Sequence, residues 1–491
     1  MPILFSEYLS ALSDLVSCSG GNLQEPILGA CCDSRECQPG FLFCAMRGQL
    51  LDGHQFIEQA LALGAVAVLS EYEVSLPRGM PWVTVRDPYP AFGRVAELAA
   101  DFPARSLELL GITGTNGKTT TAYLLRDILK AAGKCPGMIG TVEYDLGRGF
   151  CRPADRTTPT PFQLQKIFLQ MKNNGVDHAV LEVSSHALAQ ERLGRARFRG
   201  AVFTNLTRDH LDYHRDFEQY FQCKKRLFSQ WLCPDCPMVV NVDDSWGQRL
   251  ASEVPGKNLL SFSLRGNSHA VIQAENIRQD GIHTAFDLHF PDCTWHLNSP
   301  LTGFFNIYNL APAACLAYGL GISQASVQQA FLHCQGAPGR LQRLSGRSGL
   351  SVFVDYAHTD DALRNVLSAL RPLCKGRLFV IFGCGGNRDR AKRALMAKAA
   401  EEGADQIIVT SDNPRFEQPE DIIKDIVSGF SSSTKITVQP DREKAIRETI
   451  SRATSKDIIL LAGKGHEEYQ EINGVKYHFN DAEIAGKYLN S

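Results

Sequence analysis

Short apolar runs, each followed by a longer stretch with apolar residues at helical spacing, recur along much of this chain. Alternation of that kind predicts strands and helices in turn, a parallel sheet covered on both faces, and ligands gathered at the carboxyl ends of the strands. The sharpest unit runs from Ser106 to Ala132: an apolar strand to Ile112, a loop, and a helix from Lys118. Further strands are predicted over 177–183, 199–205 and 237–242, then a β-rich stretch over 259–297. A Gly-Ala-Pro-Gly339-Arg340 hinge precedes a second alternating series with strands at 351–355, 377–383, 405–410 and 457–462. Before residue 105 the elements are shorter, with strands at 65–69 and 82–85 and helices at 54–63 and 91–102. Three domains are expected, 1–104, 105–336 and 337–491, at about 150 residues per domain.

Composition narrows the classes. The 51 Lys and Arg nearly balance 53 Asp and Glu, so no nucleic-acid partner is implied. No run reaches the roughly 18 apolar residues of a membrane span, and the first residues lack a secretory pattern; a soluble, cytoplasmic monomer without membrane insertion is expected. The 15 cysteines are scattered, as in a protein with reduced thiols. Cys233-Pro-Asp-Cys236 has metal or redox spacing, yet no second CxxC or His pair accompanies it, which leaves two thiols in a loop.

The loop Gly114-Thr115-Asn116-Gly117-Lys118-Thr119-Thr120 carries the strongest chemistry. Its backbone N–H groups and the following helix N-terminus suit phosphate, Lys118 would balance β/γ-phosphate charge, and the Thr119 hydroxyl would sit on Mg²⁺. The usual GxxxxGK[ST] spacing is altered, since Ile112 stands where the first glycine belongs. Glu182 ends a later strand, where a carboxylate is wanted as a Mg²⁺ ligand. His210 and His214 are four apart, but Leu211 replaces the glutamate of a zinc-protease helix. Lys224 and Lys225 read from composition as a solvated face. Gly383-Cys-Gly-Gly-Asn-Arg388 lacks the last glycine of a dinucleotide fingerprint, and no acidic residue ends the next strand, so a nicotinamide site is not expected.

Thr113-Gly-Thr-Asn-Gly-Lys-Thr-Thr120 resembles the ATP-binding loop of the Mur ligase family, ATP-dependent amide-bond-forming enzymes of peptidoglycan precursor synthesis. Asp33-Ser34-Arg35, Asn205-Leu-Thr-Arg-Asp-His210, Tyr220-Phe-Gln-Cys-Lys224, Gly303-Phe-Phe-Asn306-Ile-Tyr-Asn309 and Asp355-Tyr-Ala-His358-Thr-Asp360 are similar to family segments in the same order, with Asp360 replacing a proline. The resemblance implies an α/β fold whose central P-loop-type domain has a doubly wound parallel sheet, followed by a Rossmann-like C-terminal domain. It implies ATP contacts from the loop and from Asn306, Asn309, Arg340, Asp355 and His358. It implies a UDP-N-acetylmuramoyl dipeptide held by Cys32, Ser34, Gln49, Leu50, Leu51, Arg156, Thr157, Thr158, Ser184, Gln190 and Arg192. Catalysis would fall to Lys118, Glu182, His210 and Lys224, with Mg²⁺ on Thr119, Glu182, His210 and a CO₂-derived carbamate on Lys224. A lysine must lose its proton to react with CO₂, so the site should depress its pKa.

Asp412-Asn413-Pro414-Arg415 is similar to the segment of family members that add meso-diaminopimelate to the dipeptide's D-glutamate through an acyl phosphate. The resemblance adds Arg388, Gly463 and Glu467 to the acceptor contacts. A guanidinium can hold the distal carboxylate of diaminopimelate by two parallel bonds, and lysine would leave Arg415 unpaired. A lysine-adding relative and a folylpolyglutamate synthetase-like ligase are the alternatives.

Overall fold

The computed structural model describes residues 2–490 except 49–50, 211–212, 255, 257, 280–282, 346–348 and 433–434. Gln49 and Leu50, expected at the nucleotide-sugar, lie outside the described residues. Three sheets organise the chain, with five, eleven and six strands among the described residues.

The first sheet orders Val16–Gly20, Trp82–Val85, Ala67–Ser70, Phe41–Cys44 and Gly29–Cys31, parallel except at the Val16–Gly20 edge. The helix expected at 91–102 starts earlier, at Pro88, because Asp87 caps it and Pro88 suits its first turn.

The central sheet is built around β1 (Glu108–Thr113), flanked in parallel by β2 (His178–Glu182) and β3 (Phe198–Phe203). Leu110 and Ile112 of β1 pack with helix α1 (Lys118–Ala131), while Leu109 faces the opposite layer with Leu181 and Phe198. Period-two side chains thus bury both faces of one strand, at about 1.5–3 kcal/mol per large apolar side chain. The β-rich stretch does not make a separate sheet. Leu259–Ser263 and Ile272–Gln279 continue the parallel run, and Thr284–His289 and Thr294–Ser299 extend it antiparallel. Helices α2 (Phe217–Arg226) and α3 (Phe304–Gly319) lie on opposite layers.

The last sheet places β4 (Ser351–Asp355) beside β7 (Ile458–Ala462), then β5 (Leu378–Phe382) and β6 (Gln406–Val409), all parallel. Helix α4 (Asp360–Leu370) begins where the family-like segment carries Asp360 instead of proline. Asp360 suits the helix N-terminus and pairs with Arg364 at 2.9 Å, and Thr359 caps the first turn, so the start is secured without proline.

Candidate active site

The loop after β1 is shaped by two glycines. Gly114 has φ 148° and a Cβ there would lie 1.9 Å from Thr204 Oγ1; Gly117 has φ 86° and a Cβ would meet Asn309 Oδ1 at 2.4 Å. Neither position admits a side chain. The loop is tied to the segment after β3: Asn116 N–H donates to Asn205 Oδ1 at 2.9 Å, and Thr204 Oγ1 donates to the Asn116 carbonyl at 2.6 Å. Lys118 folds back to donate to the carbonyls of Gly114 and Thr115 at 2.9 and 2.8 Å. Burial lowers its pKa against the pull of Glu182 and Asp209.

Lys224 donates to the same Gly114 carbonyl at 2.7 Å, so two lysine side chains converge on one acceptor. Helix α2 puts Tyr220, Phe221, Cys223 and Lys224 on its inner side, and Lys224 is 1% exposed. Lys225 instead pairs with Glu253 at 2.7 Å on the outside. Reading both lysines as a solvated face fails for Lys224. Burial first, and then the Lys118 charge, hold the Lys224 amine well below the ordinary lysine value. Glu182, fully buried, accepts from Thr119 Oγ1 at 2.9 Å and from Thr141 N and Oγ1 at 2.9 and 3.1 Å. His210 sits at φ 53° with its ring edge-on to His186, 4.9 Å between centroids.

These groups face a cavity of about 710 Å³ that is also lined by Thr120, Thr157, Ser184, Asn306, Asn309, Arg340, Asp355 and His358. On the side of Thr157, Thr158 Oγ1 bonds the Glu182 carbonyl at 2.8 Å, and Arg192 reaches the Thr158 carbonyl at 2.7 Å and Gln190 Oε1 at 2.7 Å. Burial, with Arg156 nearby, brings Arg192 down to about 10. The Cys32–Ser34 turn lies apart from this cavity. Ser34 Oγ is engaged by Gln59 at 2.8 Å, Leu51 is exposed, and Glu36 pairs with Lys166 at 2.6 Å across to the helix Pro161–Asn173.

The C-terminal unit closes the other side. Asn116 Nδ2 donates to Asp361 Oδ2 at 3.2 Å, an interdomain contact that the sequence did not single out. Burial pushes Asp355 up to about 6 against Arg340, and holds His358 down to about 4, a neutral imidazole at pH 7. The Arg340 guanidinium stacks 4.7 Å from the Tyr356 ring centre, with its Nε buried and without a hydrogen-bond partner.

The expected acceptor residues form a separate cluster at the strand ends of the last sheet. Asn413 Nδ2 donates to Glu467 Oε2 at 2.8 Å, and Gly463 N–H donates to the Asp355 carbonyl at 3.0 Å. Buried Pro414 precedes Arg415 in the bend, and Arg388 is exposed at its rim. Arg415 is not left waiting for a ligand. It bonds the Gly386 carbonyl at 2.9 Å and pairs with Glu471 at 3.2 Å, which corrects the expectation that lysine would leave it unpaired. Lys464 was overlooked by the sequence reading. Fully buried, it donates to Asn413 Oδ1 at 3.1 Å and Glu467 Oε2 at 3.2 Å; its one legible signal is a lone lysine directly after an apolar strand. Burial opposes ionisation of Asp412, but Lys464, Arg442, the Asn413 amide and Lys392 together lower its pKa, whereas burial and Asp412 raise Glu467.

Three family models match the chain in order: Mur ligase family, catalytic domain over 26–95; Mur ligase middle domain over 112–317; and Mur ligase, glutamate ligase domain over 339–465. A relative from Geobacter sulfurreducens is 42% identical over 488 residues, 95% of each chain. The chain belongs to the Mur ligase family. That relative and one from Aquifex aeolicus, 41% identical over 463 residues and 94% of each chain, both bear the name UDP-N-acetylmuramoyl-L-alanyl-D-glutamate–2,6-diaminopimelate ligase. A solved structure of a ligase with the same name is 33% identical, with a TM-score of 0.70 over 100% of this chain and 99% of its own.

Proposed function

We propose that this chain is an ATP-dependent ligase that joins meso-2,6-diaminopimelate to the D-Glu γ-carboxylate of UDP-N-acetylmuramoyl-L-Ala-D-Glu in peptidoglycan precursor synthesis. The observation that carries the reading is one cavity holding the phosphate loop, Lys118, Glu182 and a buried Lys224. In this reading residues 1–104 serve the nucleotide-sugar, 105–336 ATP, and 337–491 the acceptor. The relatives' shared name supports the same substrates.

A carboxylate is a poor acyl donor, so the γ-phosphate of ATP passes to the substrate carboxylate, giving an acyl phosphate. Lys118 balances the negative charge during that transfer, and Arg340 faces the same cavity from the other unit. The acceptor's amine then displaces phosphate. The donor set fits Mg²⁺: the Thr119 hydroxyl and the Glu182 carboxylate meet on the cavity wall, hard oxygen ligands that would share the ion with phosphate oxygens and water, with His210 on the same wall. Bound there, Mg²⁺ would offset phosphate charge. Lys224 fits a carbamate because its amine is buried beside the Gly114 carbonyl and its pKa is held well below the ordinary lysine value, which favours the unprotonated form that reacts with CO₂.

The Arg415–Glu471 pair favours keeping a second reading, a lysine-adding ligase, because lysine leaves no orphaned guanidinium. A phosphate-release assay with ATP and the nucleotide-sugar dipeptide, offering diaminopimelate and lysine separately, tests both. Equal kcat/KM for the two acceptors would refute the diaminopimelate assignment, and no release with either would refute the ligase.

A further inference from the structure

Cys233 and Cys236 lie outside the cavity, in the turn that joins the end of the Lys224 helix region to the strand Met238–Asn241. We propose that these two thiols form a reversible dithiol–disulfide site that exchanges with small-molecule disulfides such as oxidised glutathione.

The backbone prepares the pair. Pro234 occupies the second position of the turn, Asp235 the third with φ 59°, and Cys236 N–H donates to the Cys233 carbonyl at 3.3 Å. That is the pattern of a type II turn, which keeps its end Cα atoms within about 7 Å. A disulfide spans about 4.4–6.8 Å between Cα atoms, so closure needs little backbone movement. The Cys233 thiol lies close enough to Cys236 to raise its pKa. The turn is held from both sides, by Cys233 N–H to the Phe198 carbonyl at 2.9 Å and by the Asn258 side chain on the Asp235 carbonyl.

Both thiols are partly exposed. The Arg199 guanidinium, paired with Glu108 at 3.0 Å, lies beside Cys236 and draws its thiol toward the thiolate that carries out exchange. Burial, the largest influence, and the Cys233 thiol outweigh that cation, so the Cys236 thiol lies above its ordinary value. Structural zinc takes four ligands. Among the described residues no group of three or more His, Cys, Asp or Glu could hold a metal, which favours redox chemistry over a metal site.

The exchange balances in two steps. Cys236 thiolate attacks one sulfur of oxidised glutathione, forming a mixed disulfide and expelling one glutathione thiolate. Cys233, deprotonated, then attacks the Cys236 sulfur, forming the protein disulfide and expelling the second glutathione. The protein loses two electrons and two protons, and one glutathione disulfide becomes two thiols.

The test incubates the whole protein in glutathione buffers, blocks remaining thiols by alkylation, and measures the peptide carrying both cysteines by mass spectrometry. Loss of two hydrogens, reversed by dithiothreitol, is the expected result. Cys233→Ser should instead retain glutathione on Cys236, and Arg199→Gln should slow disulfide formation several-fold. Ligase turnover of Cys233→Ser should match the unsubstituted protein, since neither thiol lines the cavity. Two alkylated thiols after excess oxidised glutathione, while exposed Cys18, Cys151 and Cys293 take up glutathione, would overturn the proposal. So would an unsubstituted protein that stops at the glutathione adduct.

Discussion

Glu97 offers a prediction whose size follows from its surroundings. It lies on the helix Pro88–Ala99, 4% exposed, with Oε1 accepting from Arg195 N–H at 2.7 Å and Oε2 buried without a hydrogen-bond partner. Burial raises its carboxyl from 4.5 to about 7, although the Arg195 amide and the charges of Arg195, Arg105 and Arg94 pull downward. A carboxyl whose folded pKa is raised contributes stability below its unfolded pKa and loses it as pH climbs through the folded value. At about 1.4 kcal/mol per pH unit of displacement, the loss across that window is about 3 kcal/mol. Glu97→Gln keeps the acceptor for Arg195 and abolishes the titration. Relative to the unsubstituted protein, the variant should gain about 2–3 kcal/mol between pH 5 and pH 8. Urea dependence of hydrogen exchange in the helix Pro88–Ala99 at the two pH values measures the difference locally. Other titrating groups are common to both proteins and cancel. Parallel stability curves from pH 5 to pH 8 would refute the reasoning.

Four further outcomes concern the active site. Lys118→Ala should lose about 10²–10³ in kcat at unchanged thermal stability, as removal of one preorganised charge stabiliser does; near-normal turnover by the folded variant sinks the role given to Lys118. Lys224→Ala should be almost inactive and partly restored by a short carboxylic acid, and ¹³C-labelled CO₂ should give a carbamate signal only in the unsubstituted protein; a signal in both counts against the carbamate. Arg415→Ala should lower kcat/KM for diaminopimelate at least tenfold, about 1.5–3 kcal/mol for a charged hydrogen bond, and leave lysine unaffected; equal losses for both acceptors would show that Arg415 acts on the loop and not on the carboxylate. Lys464→Met should raise the acceptor KM without changing that for ATP, because Asn413 and Glu467 lose a shared ammonium; an unchanged acceptor KM removes Lys464 from the site.

Local sequence determined much of this protein. The unit from β1 through the phosphate loop to α1 is written in an apolar run, two glycines and a helical stripe, all within reach of one another along the chain. Strands Trp82–Val85 and Ser351–Asp355 have the expected bounds, the other expected strands differ by a residue or two at their ends, and the helix expected at 91–102 is displaced by three, where Asp87 and Pro88 decide its start. The tertiary structure alone decided what depends on neighbours distant in sequence. Lys224 and Lys225 are adjacent and chemically alike, yet one is desolvated beside Lys118 and the other meets Glu253 in solvent, because only the packing of α2 on the sheet chooses which side faces in. Arg415 acquires Glu471 and Lys464 acquires Asn413 through folds of the chain that no spacing announces. The sequence shows only a β-rich stretch over 259–297, and its pairing as the continuation of the central sheet is decided by strands far apart along the chain. Periodicity reports what a segment buries, and the choice of partner is made only when the sheets assemble.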